Sequence, residues 1–162
     1  MSVYSVAATI VRIRARWKAY LLQSGLACGT TFLLLLLLSL ENAVVIAAMG
    51  ASAFIVFGRP MDVTARPQNV VGGHLISFAT GALCAMLPQA SPFAVLAWYA
   101  LAVGLSILLM LAMYTHHPPA AATALGVAMR GYSEELLVGV LTIVFVLAVV
   151  HYAMKPRLRN LY

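Results

Sequence analysis

The sequence predicts an all-α polytopic membrane protein, with four long transmembrane helices and two short helices that are partial or re-entrant. Three observations predict it. Of 162 residues, 64% are hydrophobic and only 9% are charged, against about 25% charged in a soluble domain, so too little polar surface exists to face water. Apolar runs recur at the roughly 20-residue length that crosses a bilayer core. Polar and Pro/Gly-containing stretches cut these runs into six segments, two of them too short to be ordinary spans.

The elements follow in order. Residues 1–19 form a basic interfacial segment, with Arg12, Arg14, Arg16 and Lys18 ahead of an apolar run and Trp17 and Tyr20 at the water boundary. The basic cluster comes after residue 11 and no small-residue cleavage site follows it, so no cleavable signal is read here. A single membrane domain covers 20–154, and a basic tail covers 155–162. The first span runs from Tyr20 to Leu40. The second segment, Asn42 to Phe57, is shorter and carries Gly50, Ala51, Ser52 and Ala53 at its centre, with Glu41-Asn42 as its cap. GRPMDVTARPQN, Gly58 to Asn69, is a loop with two X-Pro breaks. The third segment, Val70 to Leu87, opens on Gly72, Gly73 and His74. PQASP turns the chain into the fourth, Phe93 to Met113. The fifth, Ala120 to Met129, is very short, and the sixth, Leu136 to Met154, is a full span.

Long, short, long is followed by long, short, long. AAMGASAFIVFG in the first half sits where PPAAATALGVAM sits in the second. Two pseudo-repeated halves around short segments are a pattern of transporters, with the binding site at the breaks. Charge placement sets the orientation. With a cytoplasmic N-terminus and six crossings, nine of the ten Lys and Arg fall inside and Arg130 alone falls outside. With both short segments re-entrant, Arg59, Arg66 and Arg130 fall outside. Both arrangements put the C-terminus in the cytoplasm and are preferred on that ground to a third, in which only the second segment crosses fully and the three C-terminal charges lie outside; the location expected is the cell (inner) membrane. The net charge of +6 sits at the ends of apolar runs, where it suits anionic lipid headgroups. Nucleic acid is not an expected partner.

His116-His117-Pro118-Pro119 carries the functional argument. The residue before a proline avoids helical angles, so the fourth helix should stop by about His116. Proline fits a helix's first turn, so a new helix should start there. Its free N–H groups, from Ala120, Ala121 and Ala122, would then form an anion site with the helix dipole, and Thr123 would add a hydroxyl one turn in. Gly50 and Ser52 offer a similar surface, as do Asn69, Gly72, Gly73 and His74. The glycine pair equally suits close helix contact. His74 lies inside an apolar segment, where an ionisable side chain is a functional candidate, and histidine's titration range suits proton coupling. His151, beside Lys155, reads as a wetted interfacial residue. Cys28 and Cys84 lack metal-ligand spacing and read as small hydrophobes. Glu41, Asp62, Glu134 and Glu135 form no carboxylate dyad, and no nucleophile–base pair or phosphate loop is present. The chain is not expected to be an enzyme or to carry a metal or cofactor.

GASAFIVFGRP (Gly50 to Pro60), RPQNVVGGHLIS (Arg66 to Ser77) and HPPAAATAL (His117 to Leu125) together resemble the HPP family of integral membrane proteins, over roughly Leu22 to Val150. Asn69, Gly72, Gly73, His74, His117, Pro118, Pro119 and Thr123 match its motifs. The family's Ala-Gly pair after the prolines is replaced here by Ala120-Ala121. The resemblance implies four spanning helices, and its chloroplast members are implicated in nitrite transport. The expected function is therefore transport of a small inorganic anion, nitrite first, at the His-Pro-Pro break. A scaffold or regulatory module, and a metal or haem protein ligated by His74, His116 or His117, are the competing readings. A bundle this small leaves little room for a gated path, so a homo-oligomer in the lipid bilayer is expected.

Overall fold

The computed structural model describes residues 6–37 and 43–162, and among these every regular element is helical. Six α-helices follow in order: α1 (Val6–Leu37), α2 (Ala43–Gly58), α3 (Pro67–Ala85), α4 (Pro92–Ala112), α5 (Ala120–Arg130) and α6 (Glu134–Met154). Short 3-10 turns cover Val63–Ala65 and Lys155–Arg157. The proposed cap Glu41-Asn42 lies outside the described residues.

Among the described residues, three helices are long and apolar enough to cross a membrane: Ile13–Leu36, Pro92–Ala112 and Glu134–Arg157. The fourth long span expected from sequence, α3, is not among them. Its 19 residues include Gln68, Asn69, His74 and three glycines, which make it less apolar than a lipid-facing span. The packing explains why that is tolerated. α3 lies against α4, α5 and α6, so Asn69 and His74 meet protein rather than hydrocarbon, while Gln68 is exposed in the first turn. Lipid-type surface is carried elsewhere, by Phe32, Leu36, Phe93, Leu96, Leu108 and Phe145, all exposed.

α1 is two helices joined at Arg16, whose φ of −126° and ψ of 18° are not helical. The kink falls three residues before the expected boundary between interfacial segment and span. α4 and α6 begin on serines, Ser91 and Ser133, whose side chains accept from Ala94 N–H and Leu136 N–H.

Contacts fix the helix directions. Met110 meets Gly73, and Ser106 bonds Ser77, so α4 runs antiparallel to α3. His117 meets Gly73, and Val127 meets Gly81, so α5 runs parallel to α3. Tyr132 packs on Phe78, and His151 shares a cavity wall with Pro67, so α6 returns antiparallel. Gln23 Nε2 donates to the Phe57 carbonyl and, at 2.9 Å, to that of Arg159. Leu161 N–H bonds the Gly58 carbonyl at 3.0 Å. The end of α2 therefore lies beside the C-terminal tail, and α2 runs opposite to α5. Each short helix travels one way along the bundle and does not double back as a re-entrant hairpin. α5 is nonetheless partial in depth, since its 11 residues span about 16 Å.

The core falls into two clusters. Leu34, Val45, Met49, Val56, Phe57, Val70, Val140, Ile143 and Leu147 pack in one cluster across α1, α2, α3 and α6. Cys84, Ala102, Ala124 and Ala128 form a second, of small residues, where α3, α4 and α5 meet.

Candidate substrate site

The break between α4 and α5 is built from local backbone chemistry. α4 ends earlier than the prolines alone suggest. Tyr114 takes a left-handed φ of 56°, Thr115 N–H reaches back to the Met110 carbonyl at 2.9 Å, and Tyr114 N–H to that of Leu111 at 3.4 Å. That is a Schellman ending with tyrosine where glycine is usual, at a cost of about 1–2 kcal/mol.

The restart differs from the sequence expectation. Ala120, Ala121 and Ala122 do not offer free N–H groups. They donate to the carbonyls of His117, Pro118 and Pro119 at 2.9, 3.1 and 3.2 Å. A helix start normally leaves its first N–H groups unpaired. Here two of those positions are prolines, which have none, and the next donors are already engaged. The His-Pro-Pro sequence therefore removes the amide nest it was expected to create.

What it provides instead is a fixed imidazole. His117 is fully buried, and its Nδ1 lies 2.8 Å from the Thr64 carbonyl. Its Nε2 is 2.9 Å from Ser52 Oγ. The same Ser52 oxygen is 3.0 Å from His74 Nε2. His74 Nδ1 is 2.9 Å from Thr123 Oγ1. Ser52, His74, His117 and Thr123 are all at most 2% exposed. Four side chains from α2, α3, the break and α5 thus form one continuous polar chain in an apolar interior.

Its hydrogens can be assigned from one end. A carbonyl only accepts, so His117 Nδ1 must donate to Thr64, and a neutral His117 leaves Nε2 bare. Ser52 then donates to His117 Nε2. Having spent its only hydrogen, Ser52 accepts from His74 Nε2–H. His74 Nδ1 is bare in turn and accepts from Thr123. Every polar atom along the chain is satisfied, as burial demands.

Ser52 and Thr123 are counterparts. When AAMGASAFIVFG is set against PPAAATALGVAM, they fall at the same position. The hydroxyls of two oppositely directed short helices hold the two nitrogens of a single ring.

Gly73 and Gly72 serve this geometry by closeness. A Cβ on Gly73 would sit 2.9 Å from His117 Cβ, and one on Gly72 would sit 2.6 Å from Thr115 Cγ2. Asn69 lies one turn earlier, where its Nδ2 donates to the Val63 carbonyl at 2.7 Å and steadies the loop that presents Thr64. Asn69 Oδ1 and Thr115 Oγ1 are buried without a partner. Ala120 is fully buried in the first turn of α5, while Pro118 is exposed and Pro119 half-buried. Gly50 is not brought to the centre. It faces outward, in an apolar groove with Cys28, Phe32 and Phe54, and a Cβ there would touch nothing. A cavity of about 220 Å³ adjoins His117, lined also by Ile107, Met110, Leu111, His116, Pro118 and Ala121.

One further expectation changes. His151 is not a wetted surface residue. It is 3% exposed and walls a cavity of about 170 Å³ with Arg66, Tyr152 and Lys155. Arg59 is engaged by Asp62 at 2.8 Å and lies over the Tyr162 ring. The residues sequence reasoning missed are Thr64, which acts through its backbone, Gly81, and the Ser77–Ser106 pair, 2.6 Å apart. Gly81 was legible. Gly73, Ser77 and Gly81 stand four apart, a small-residue face that lets helices approach closely. Among the described residues no three His, Cys, Asp or Glu side chains come together as metal ligands, and two imidazoles fall short of the four-ligand set of a structural zinc site.

A family model described as "HPP, transmembrane region" matches residues 7–159. A protein of Dictyostelium discoideum, named only as a transmembrane protein, is 40% identical over 90 residues, which is 54% of this chain and 31% of that one. A second from the same organism, also named only as a transmembrane protein, is 34% identical over 85 residues, 52% of this chain and 27% of the other. The matches cover under a third of those relatives' lengths. No solved structure matches.

Proposed function

The chain belongs to the HPP transmembrane family, and from that premise we propose that it carries a small inorganic anion, nitrite first, across a membrane by way of the Ser52–His74–His117–Thr123 centre. One observation carries the reading. Among the described residues, four side chains at most 2% exposed join in one polar cluster of hydroxyls and imidazoles, groups that could turn their hydrogens to an anion, with no carboxylate among them. Ionisable groups buried in the apolar interior of a membrane bundle are costly and are characteristic of a substrate path. The small cavity at His117 offers a place from which an ion reaches that centre. The opposite directions of α2 and α5 fit the inverted halves of alternating-access carriers.

The same reading assigns an orientation. Arg14, Arg16 and Lys18 share a cavity wall with Arg157 and Arg159, and Arg66 and Lys155 lie at that end too. Arg130 closes α5 at the opposite end. An excess of cations on one side favours placing that side, and both termini, in the cytoplasm, and the cell membrane is the proposed location.

Purified protein reconstituted into liposomes should raise nitrite influx above that of empty vesicles, where influx is followed by a trapped nitrite reporter. His117→Ala and Thr123→Val should lower that influx while the protein remains folded. Folded wild-type protein that gives no influx above empty vesicles would sink the reading.

A further inference from the structure

We propose that His74 and His117, bridged by Ser52, form a one-proton relay that takes up a single proton together with the transported anion. The inference rests on the anion-transport reading and extends it to the coupling ion.

The geometry gives the relay two equivalent loaded states. Both rings present Nε2 to the same hydroxyl oxygen, at 3.0 and 2.9 Å. Add one proton to His74, at Nδ1. That ring then donates from Nε2 to Ser52 and from Nδ1 to Thr123, whose hydroxyl turns from donor to acceptor. Ser52 still donates to His117, and His117 still donates to Thr64. Now shift the bridge. The His74 Nε2 proton passes to Ser52 Oγ as the Ser52 proton passes to His117 Nε2. His117 is now the imidazolium, donating to Thr64 and to Ser52. Ser52 donates back to His74 Nε2, and His74 Nδ1–H donates to Thr123. Two protons have moved by one bond each, and one positive charge has crossed from ring to ring. No electron is exchanged, and every hydrogen bond along the chain is made in both states.

A second proton breaks the scheme. Both Nε2–H groups would then point at Ser52, whose own hydrogen would lose its acceptor, and two cations would face each other with ring centroids 5.2 Å apart. The site therefore holds one proton. It also needs an anion to do so, because an uncompensated charge in a dry interior is strongly disfavoured. No carboxylate compensates it from within. α2 and the Val63–Ala65 turn carry no ionisable side chain in their described portions. α3 adds only Cys84, and the α4 segment and break add Tyr99, Tyr114 and His116. α5 ends on Arg130, and α6 has Glu134 and Glu135 at its start and His151 and Tyr152 near its end. Asp62, flanking the Thr64 turn, is taken by Arg59, and the turn's other flank carries an exposed cation, Arg66. Proton and anion thus favour each other's binding, and by linkage the effect is reciprocal.

Two measurements test this. The first follows nitrite and pH together in proteoliposomes, with the flux of empty vesicles subtracted. Net nitrite uptake should bring about one proton per ion and should speed up under an inward proton gradient. Net uptake with no accompanying proton overturns the relay and leaves the transport reading standing. No net uptake overturns both. The second is nitrogen-15 NMR of histidine-labelled protein in bilayers, with His117→Asn used to assign the signals. Without nitrite, His117 should be the Nδ1–H tautomer and His74 the Nε2–H tautomer. With saturating nitrite at mildly acidic pH, one imidazolium should appear across the pair, and in Ser52→Ala it should no longer be shared between the rings. Identical neutral tautomers, or two imidazoliums, would overturn the relay whatever the flux assay reports.

Discussion

α2 and α5 are alike in composition and unlike in setting. Both are short, both are rich in alanine and glycine, and each places one hydroxyl on His74. Yet α5 is wedged, with Ala120, Ala124, Val127 and Ala128 at most 1% exposed, whereas α2 turns Gly50 and Phe54 outward. The difference lies in the partner. α5 lies along the glycine face of α3, and α2 packs instead through Val45, Met49, Val56 and Phe57 into a core of larger residues. Small residues on a helix therefore do not by themselves define an interface. Small residues on both helices, in register, do.

The wedge is the place to break the comparison hardest. A Cβ on Gly81 would fall 2.5 Å from the Ala124 carbonyl oxygen. Backbone cannot swing aside as a side chain can. Gly81→Leu should force α3 and α5 apart at a cost beyond the usual overpacking range of about 1–3 kcal/mol. Cys84, buried in the same seam, gives the measurement. In a Cys28→Ser background its thiol should react slowly in the parent and rapidly in the variant. Slow labelling in both would mean that the seam is not tight.

The polar centre comes next, and the two helices should again differ. Ser52→Ala leaves two buried imidazole nitrogens without a partner, and Thr123→Val leaves one. Each orphaned buried group costs about 1–3 kcal/mol. Ser52→Ala should thus lower the thermal midpoint of the purified protein about twice as far as Thr123→Val. Equal losses would mean that one of the Ser52 bonds does not exist in the folded protein.

These particulars show what the sequence made legible. Segment count, the short second and fifth helices, and the candidates His74, His117, Ser52 and Thr123 followed from hydropathy, proline chemistry and motif resemblance. Gly73-x3-Ser77-x3-Gly81 was present as a pattern but competed with the more conspicuous glycine pair. The Thr64 carbonyl was not legible, because a backbone acceptor belongs to no residue type. The free amides predicted for Ala120 to Ala122 failed for a geometric reason. Proline suits a first turn because its missing N–H would be unpaired there, and that very fact leaves a double-proline start with nothing to offer an anion. Gly50 was misplaced because composition cannot say which face of a helix points inward.

The smallest expected effect sharpens the comparison as much as the largest. Gly50 stands in α2 two residues from Ser52 of the polar centre, but nothing lies within 4 Å of where its Cβ would be. If its role were close approach to a substrate or another helix of the same chain, Gly50→Ala would disturb the protein as a substitution at Gly73 must. The structure predicts otherwise. Alanine has the higher helix propensity, by about 1 kcal/mol in a helix interior, and no clash offsets it. Gly50→Ala should leave the thermal midpoint unchanged or slightly raised. Gly73→Ala should lower it, because its Cβ meets His117 at 2.9 Å. A matched loss in the two variants would mean that the Gly50 face of α2 also meets a partner surface, and the contrast between the two short helices would disappear.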